Sequence, residues 1–323
     1  MKNGRTIRKG IVACFLGGVV AFGATGAMAE EQITMGLAGQ SYWPTIVAKV
    51  AESEGFFERA GVKADITVHK SGAEAFESLA AGIVELALAS PAGVGRAREK
   101  GVYTKIVAAG TEQYLGWYLM VTPDSPVQSI ADLDGKKVGI SSAGSGSDVL
   151  ATWVETDAGI TFEKIPVGGS GLVPNLLSGN IDAAMMYSPP SFELLEKAEA
   201  RSLLRLSEVV PKNANTSWAA SDTAIAENPK GIQLALDAFY GAVQMMQADR
   251  DKAIQLIVAH SDLSPSVAAR EFDETIANVV PDGAVRAETV QQSIDLMRTV
   301  GVEVKTPIEE IVSADFSVKP VTN

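Results

Sequence analysis

The residues best placed to do chemistry lie in one short stretch, Ser142-Ala-Gly-Ser-Gly-Ser147, a run of small residues leading into an amphipathic segment. Such a run leaves backbone N–H groups uncovered at the positive end of a helix, where an anion can be held without a basic side chain. Ser142, Gly144 and Ser145 are therefore candidate ligand contacts; a helix N-cap by Ser145 or Ser147, with glycines to turn the chain, accounts for the same residues. Neither the dinucleotide fingerprint nor the phosphate-loop motif is met, because the third glycine and the Gly-Lys-Ser/Thr ending are absent. Three of the four tryptophans, Trp43, Trp117 and Trp218, fall in comparable loops, with Tyr42, Tyr114 and Tyr187 beside them. Rings grouped this way suit a planar or apolar ligand face, while each alone serves equally well as packing. Gln40, Gln113 and Ser90 stand in the same loops and could read the polar edge of a neutral ring, and no Lys or Arg falls inside them, although Arg96 and Arg98 follow Ser90-Pro91. An anion held by amides and hydroxyls and a neutral ring are both compatible with these residues.

Catalytic equipment is sparse. There is no H-E-x-x-H, no nucleophile elbow and no Cys–His pair, and Glu85 and Asp182 read as packing or turn residues rather than an acid–base pair. No catalytic residue, metal site or cofactor is expected.

The elements that would position these loops follow from hydrophobic periodicity. Residues 33–37 alternate as a strand, Pro44 opens a helix, 64–68 reads as a strand, 73–81 as a helix and 84–89 as a strand, giving β-α-β-α-β. The middle of the chain repeats this order, with strands at 137–141, 163–167 and 181–186 and helices at 147–158 and 173–178; Trp153, inside a helix, is assigned to the core. Gly82-Ile-Val-Glu-Leu-Ala87 and Gly179-Asn-Ile-Asp-Ala-Ala184 are versions of one phrase 97 residues apart, each leading to Ser-Pro at Ser90-Pro91 and Ser188-Pro189. A constant offset through helix, turn and strand indicates a duplicated unit, hence two Rossmann-like α/β lobes and a cleft between them. Apolar passages at 115–121 and 217–220 are candidate crossings, so lobe 1 is expected at 30–121 plus 219–323 and lobe 2 at 122–218. From Ser221 onward the pattern is helical, and these helices are expected to pack back on the first lobe.

Lys2, Arg5, Arg8 and Lys9 precede an apolar run at 11–22 and the small residues Ala27-Met-Ala29, the layout of a secretory signal peptide cut after Ala29. Cys14 has only three apolar residues between it and Gly10, too few for a lipid-attachment site. Losing the leader leaves 23 Lys and Arg against 39 Asp and Glu, a balance of −16 in place of −12, which disfavours nucleic acid as a partner. Cys14 is the single cysteine, so the mature chain has no disulfide and its stability must come from its core.

Four stretches together resemble the extracytoplasmic binding proteins of ABC importers, in the branch handling sulfonates, taurine, nitrate and thiamine-pyrimidine precursors. They are Tyr42-Trp-Pro44 leading to Glu54-Gly-Phe-Phe57 and Gly61-Val62, the phrase from Leu79 to Ala87, Ile130-Ala-Asp-Leu-Asp-Gly-Lys-Lys-Val-Gly-Ile140, and Gly179 to Ala184. The resemblance implies a type II periplasmic-binding-protein fold, two α/β lobes joined by two crossing strands, and a monomeric periplasmic protein. It would close on a small molecule (a sulfonate, an aromatic acid or a pyrimidine-like compound) and deliver it to an inner-membrane permease. A pyrimidine synthase of the same branch consumes its own histidine and carries cysteines near its iron; this chain has only His69 and His260 and no mature cysteine. A receptor for a sensor or another transporter class, and an extracytoplasmic enzyme acting on a small ring compound, are the alternatives.

Overall fold

The computed structural model describes Met1 and residues 30–322. The rest of the expected leader, Cys14 and its cleavage site included, lies outside the described residues. The first α/β unit contains β1 (Glu31–Ala38), α1 (Trp43–Ser53), α2 (Phe56–Ala60), β2 (Val62–His69), α3 (Gly72–Ala80), β3 (Leu86–Ala89), α4 (Pro91–Glu99) and β4 (Thr104–Thr111). The second contains β5 (Tyr118–Val121), β6 (Lys137–Ile140), α5 (Gly146–Ala158), β7 (Glu163–Pro166), α6 (Leu172–Leu177), β8 (Ala183–Met186), α7 (Pro190–Glu196), β9 (Arg201–Arg205) and α8 (Leu206–Val209). β10 (Thr216–Ser221) follows, then α9 (Asp222–Glu227), α10 (Pro229–Ala248), α11 (Arg250–His260), α12 (Pro265–Glu274), α13 (Ala287–Thr299) and α14 (Ile308–Ile311).

The two sheets have one topology, β2-β1-β3-β10-β4 and β7-β6-β8-β5-β9. In each, three parallel strands are followed by one that runs antiparallel to both neighbours, β10 in the first sheet and β5 in the second. That antiparallel strand is exchanged between the lobes: β5 leaves the first unit to pair Leu119 with Met185 and Leu204, and β10 leaves the second to pair Trp218 with Leu88 and Ala108. Residues 118–121, expected in the first lobe, are therefore in the second sheet, and 216–218, expected in the second, are in the first. The chain crosses just before each strand, at 112–117 and 210–215. A strand buried on both faces carries no alternation to show which sheet it joins.

The duplicated phrase performs the same local task twice. Gly82 and Gly179 sit at φ 71° and 73°, the left-handed conformation that ends α3 and α6 without a Cβ penalty. Three residues on, Glu85 accepts the backbone N–H of Thr34 in β1 at 2.9 Å, and Asp182 accepts that of Lys137 in β6 at 2.8 Å. Each acid thus pins the first parallel strand of its lobe, the packing role the sequence suggested.

The C-terminal helices pack on the first lobe through α10, capped by Asn228, whose Oδ1 accepts from Gly231 N at 3.0 Å. Ile232, Ala235, Leu236, Phe239, Tyr240, Val243 and Met246 recur at helical spacing and are fully buried. Trp43 and Trp218, 1% and 0% exposed, pack on Phe239 with ring centroids 6.3 and 5.0 Å away. Their location at strand and helix ends is thus a packing location. Trp218→Ala should cost about 3–5 kcal/mol in urea unfolding. Trp218→Phe should cost much less, because the buried Trp218 indole N–H has no partner whose bond would be lost.

Candidate functional site

A cavity of about 690 Å³ lies between the lobes, lined by the residues that follow β1, β3, β6 and β8. Ligands in α/β sheets bind at such strand ends because the connecting loops and the N-termini of the next helices converge there. Tyr42, Ser71, Ser90 and Ser145, the residues preceding α1, α3, α4 and α5, all line it. The serines cap their helices, accepting from Glu74 N, Gly93 N and Asp148 N. The first turns of α3 and α5 already carry acids, Glu74 and Asp148, whereas those of α1 and α4 carry none. The positive ends of α1 and α4 are thus uncompensated at the cavity wall.

The Ser-Gly-rich loop before α5 is largely self-satisfied. Asp148 accepts from Gly144 N at 2.8 Å, Ser145 N donates to Ser142 O, and the hydroxyls of Ser141, Ser145 and Ser147 bond one another at 2.8–3.0 Å. The anion held by this loop is its own Asp148 carboxylate, which also pairs with Lys164 at 3.2 Å. The N-cap role of Ser145 is the one the geometry displays.

Four rings form a continuous wall across the lobes. Tyr42 of the first lobe meets Tyr187 at 5.3 Å between centroids, Tyr187 meets Trp117 at 5.6 Å, and Trp117 meets Tyr114 at 6.1 Å. The Tyr42 hydroxyl is 3.3 Å from Thr216 Oγ1, while those of Tyr114 and Tyr187 have no partner among the described residues. Burial raises all three hydroxyls, Tyr187 to about 12, so each remains a neutral hydrogen-bond donor near neutral pH.

Of the candidate residues, Tyr42, Ser90, Trp117, Gly144, Ser145 and Tyr187 line the cavity. The others are engaged elsewhere. Trp43 and Trp218 are in the core, Gln40 is exposed with its carbonyl near Lys49 Nζ, and Gln113 Nε2 donates to Ser207 O, tying the first crossing segment to α8. Ser142 Oγ donates to Ser71 Oγ at 3.0 Å, bridging the lobes, and Gly169 N donates to Lys70 O at 3.2 Å beside it. The cavity also recruits residues the sequence reading did not select: Ser71, Lys70, Arg96, Lys100 and, from α13, Leu296 and Met297. The pattern Ser71-Gly-Ala-Glu74, matching Ser145-Gly-Ser-Asp148, is a capping signal that marked Ser71. Arg98, by contrast, turns away to Asp222 at 3.1 Å. Among the described residues no group of three or more His, Cys, Asp or Glu could hold a metal, and no helix is long and apolar enough to cross a membrane.

Residues 45–253 match the model of the family described as NMT1/THI5 like. The chain belongs to the NMT1/THI5-like family. A relative provisionally named a binding protein, from Brucella abortus, is 26% identical over 225 residues, 67% of each chain. The alkanesulfonate-binding protein of Xanthomonas axonopodis pv. citri, solved with MOPS, is similar at a TM-score of 0.73 and 19% identity, covering 90% of this chain and 99% of that one. The desulfurization enzyme DszB is also similar, at a TM-score of 0.61 and 15% identity over 88% and 96%. The shared architecture is the periplasmic-binding-protein fold, two α/β lobes with a helical C-terminal region, and it carries both binding proteins and an enzyme.

Behind the ring wall, α12 places Glu271 against the loop after β8. Its carboxyl is fully buried, and the Ser188 and Thr275 hydroxyls approach it outside normal hydrogen-bond geometry. Burial is the dominant influence and raises it to about 8, so it is neutral in the folded protein at pH 7. An unfolded Glu titrates near 4.3, so the native state holds a proton the unfolded state has lost, and stability falls as pH rises between these values. Glu271→Gln should match the parent in Tm near pH 4 and exceed it increasingly up to pH 8, as the parent's unfolding free energy falls relative to the variant's by about 1.4 kcal/mol per pH unit at most. Parallel Tm profiles for the two proteins would contradict this.

Proposed function

We propose that this chain is the solute-binding component of an ABC importer, exported to the periplasm, acting as a monomer that captures a small organic solute by hinge closure and passes it to a permease. The observation that carries this reading is the ring wall: Tyr42 from one lobe, Tyr187 from the other and Trp117 from the crossing segment between them enclose one cavity, so both lobes can touch a ligand only when the cleft is shut. The segments 112–117 and 210–215 are the hinge, and the cross-lobe contacts Ser142 to Ser71 and Gly169 to Lys70 belong to the closed state. Ligand then shifts the population toward closure by its added contacts, and the permease reads the closed form. The similarity to sulfonate-binding proteins supports an anionic solute, as do the uncompensated ends of α1 and α4 and the neutral tyrosine donors.

Binding without turnover is the reading favoured over catalysis. Among the described residues no His or Cys lines the cavity, and of the two acids that do, Glu77 and Asp148, Asp148 is paired with Lys164. Native mass spectrometry of the protein purified from its own periplasm should show one small molecule bound, which incubation leaves chemically unchanged and whose uptake stops when the gene is deleted. Conversion of that molecule would support the enzyme, and loss of a transcriptional response with uptake intact would support the sensor receptor. Trp117→Ala should weaken binding of the same molecule by about tenfold, for a stacking contact worth roughly 1.4 kcal/mol. Gly169→Ala should also weaken it, because an added Cβ would lie 2.5 Å from Tyr187 Oη and 3.1 Å from Lys70 O in the closed cleft, while the ligand-free Tm stays near the parent value.

A further inference from the structure

Besides the ring wall, the same cavity is bounded by faces of α3, α4, α5 and α13, which together form its outer chamber. Phe76 on α3, Val149 on α5, and Leu296 and Met297 on α13 line it, and these four side chains are apolar. On α4 the lining positions Gly93, Arg96, Ala97 and Lys100 follow helical spacing, so one face of this helix runs from the inner cleft into the outer chamber. Arg96 is half-buried, and no carboxylate or carbonyl bonds its guanidinium among the described residues. The other charged groups lining the cavity are Lys70, Lys100, Glu77 and Asp148, and Asp148 is paired with Lys164. An unpaired guanidinium on an apolar wall, in a chain whose overall charge is −12, is a fixed countercharge.

The separation is set by the helix. Ser90 caps α4 at the inner cleft, and Arg96 is six residues along it, about 9 Å at the helical rise. The volume, about 690 Å³, is that of a site for a ligand of drug-like size and is far more than an inorganic anion needs.

Resting on the solute-binding reading, we infer that the outer chamber is a second subsite, in which Arg96 binds the acidic end of an elongated solute whose ring lies against Tyr42, Tyr187 and Trp117. The solute class is an aryl-alkyl organic acid, with its apolar linker against Val149, Leu296 and Met297.

Calorimetric titration of phenylacetate, phenylbutanoate and phenylhexanoate, each beside its neutral amide, tests this. The longer acids should bind more tightly than phenylacetate and about tenfold or more above their amides. Arg96→Gln should remove the preference for acid over amide without changing affinity for the amides, and Arg96→Lys should restore part of it. Equal binding of acid and amide, or an unchanged preference in Arg96→Gln, would overturn the subsite while leaving solute capture intact. No binding by any member of the series would overturn the proposed class, and the molecule found by native mass spectrometry would then judge the solute-binding reading separately.

Discussion

The constraint on which the rest of the structure depends is the exchange of one strand between two otherwise equivalent sheets. Each sheet is completed by a strand arriving from the other lobe, β5 in the second and β10 in the first. Strand exchange forces the chain through the gap between lobes twice, and it places two crossing segments side by side, held by Asn213 N to Glu112 O and Asn215 N to Thr111 O, with Gln113 Nε2 donating to Ser207 O of α8 beside them. The proposed opening and closing of the lobes would turn about that pair. The crossings also turn the carboxyl ends of both parallel strand sets, with the helix N-termini that follow them, toward one shared space.

Within that space the division of labour follows from chemistry rather than symmetry. The duplicated acids Glu85 and Asp182 remain scaffold, each holding the first parallel strand of its lobe. The loops that leave the duplicated strands have diverged, to a serine cap at Ser90 in one lobe and to Tyr187 in the other. Tyr187 is the element that makes the lobes interdependent, since its hydroxyl occupies space that glycines leave open on both sides, at Gly39 and Gly169. α13 adds a third surface, with Leu296 in the core of the second lobe and Met297 in the satellite core of the first, so the cavity wall is continuous across the junction.

Much of the fold was legible because it is written in periodicity and repetition: alternating strands, helical spacing and the phrase at Gly82 and Gly179 place the three parallel strands of each lobe and the helices between them, whereas β4, β9 and the short helices α2, α7 and α8 carry too little pattern to be placed. Sheet membership of β5 and β10 was not legible, because strands buried on both faces look alike from either side. The candidate site was legible only in part. Ser90, Ser145, Tyr42, Trp117 and Tyr187 sit at strand or helix ends and line the cavity, but Trp43 and Trp218 sit at equivalent positions and point to the core instead, a choice fixed by Phe239 about two hundred residues away from Trp43 in sequence. Arg96 was visible as a residue following Ser90-Pro91, yet its helix face toward the cavity depends on where α13 packs, which no local pattern encodes.

The central claim is that a solute held between the lobes closes them. The mature chain expected after Ala29 has no cysteine, so Lys63→Cys and Glu163→Cys, exposed positions on β2 and β7, would carry a unique pair of spin labels. The pulsed-dipolar distance between them should be long and broad in protein refolded free of ligand, and should shorten to a narrow distribution when the small molecule released from the native protein is returned. A distribution that stays unchanged while that molecule is bound would contradict the account.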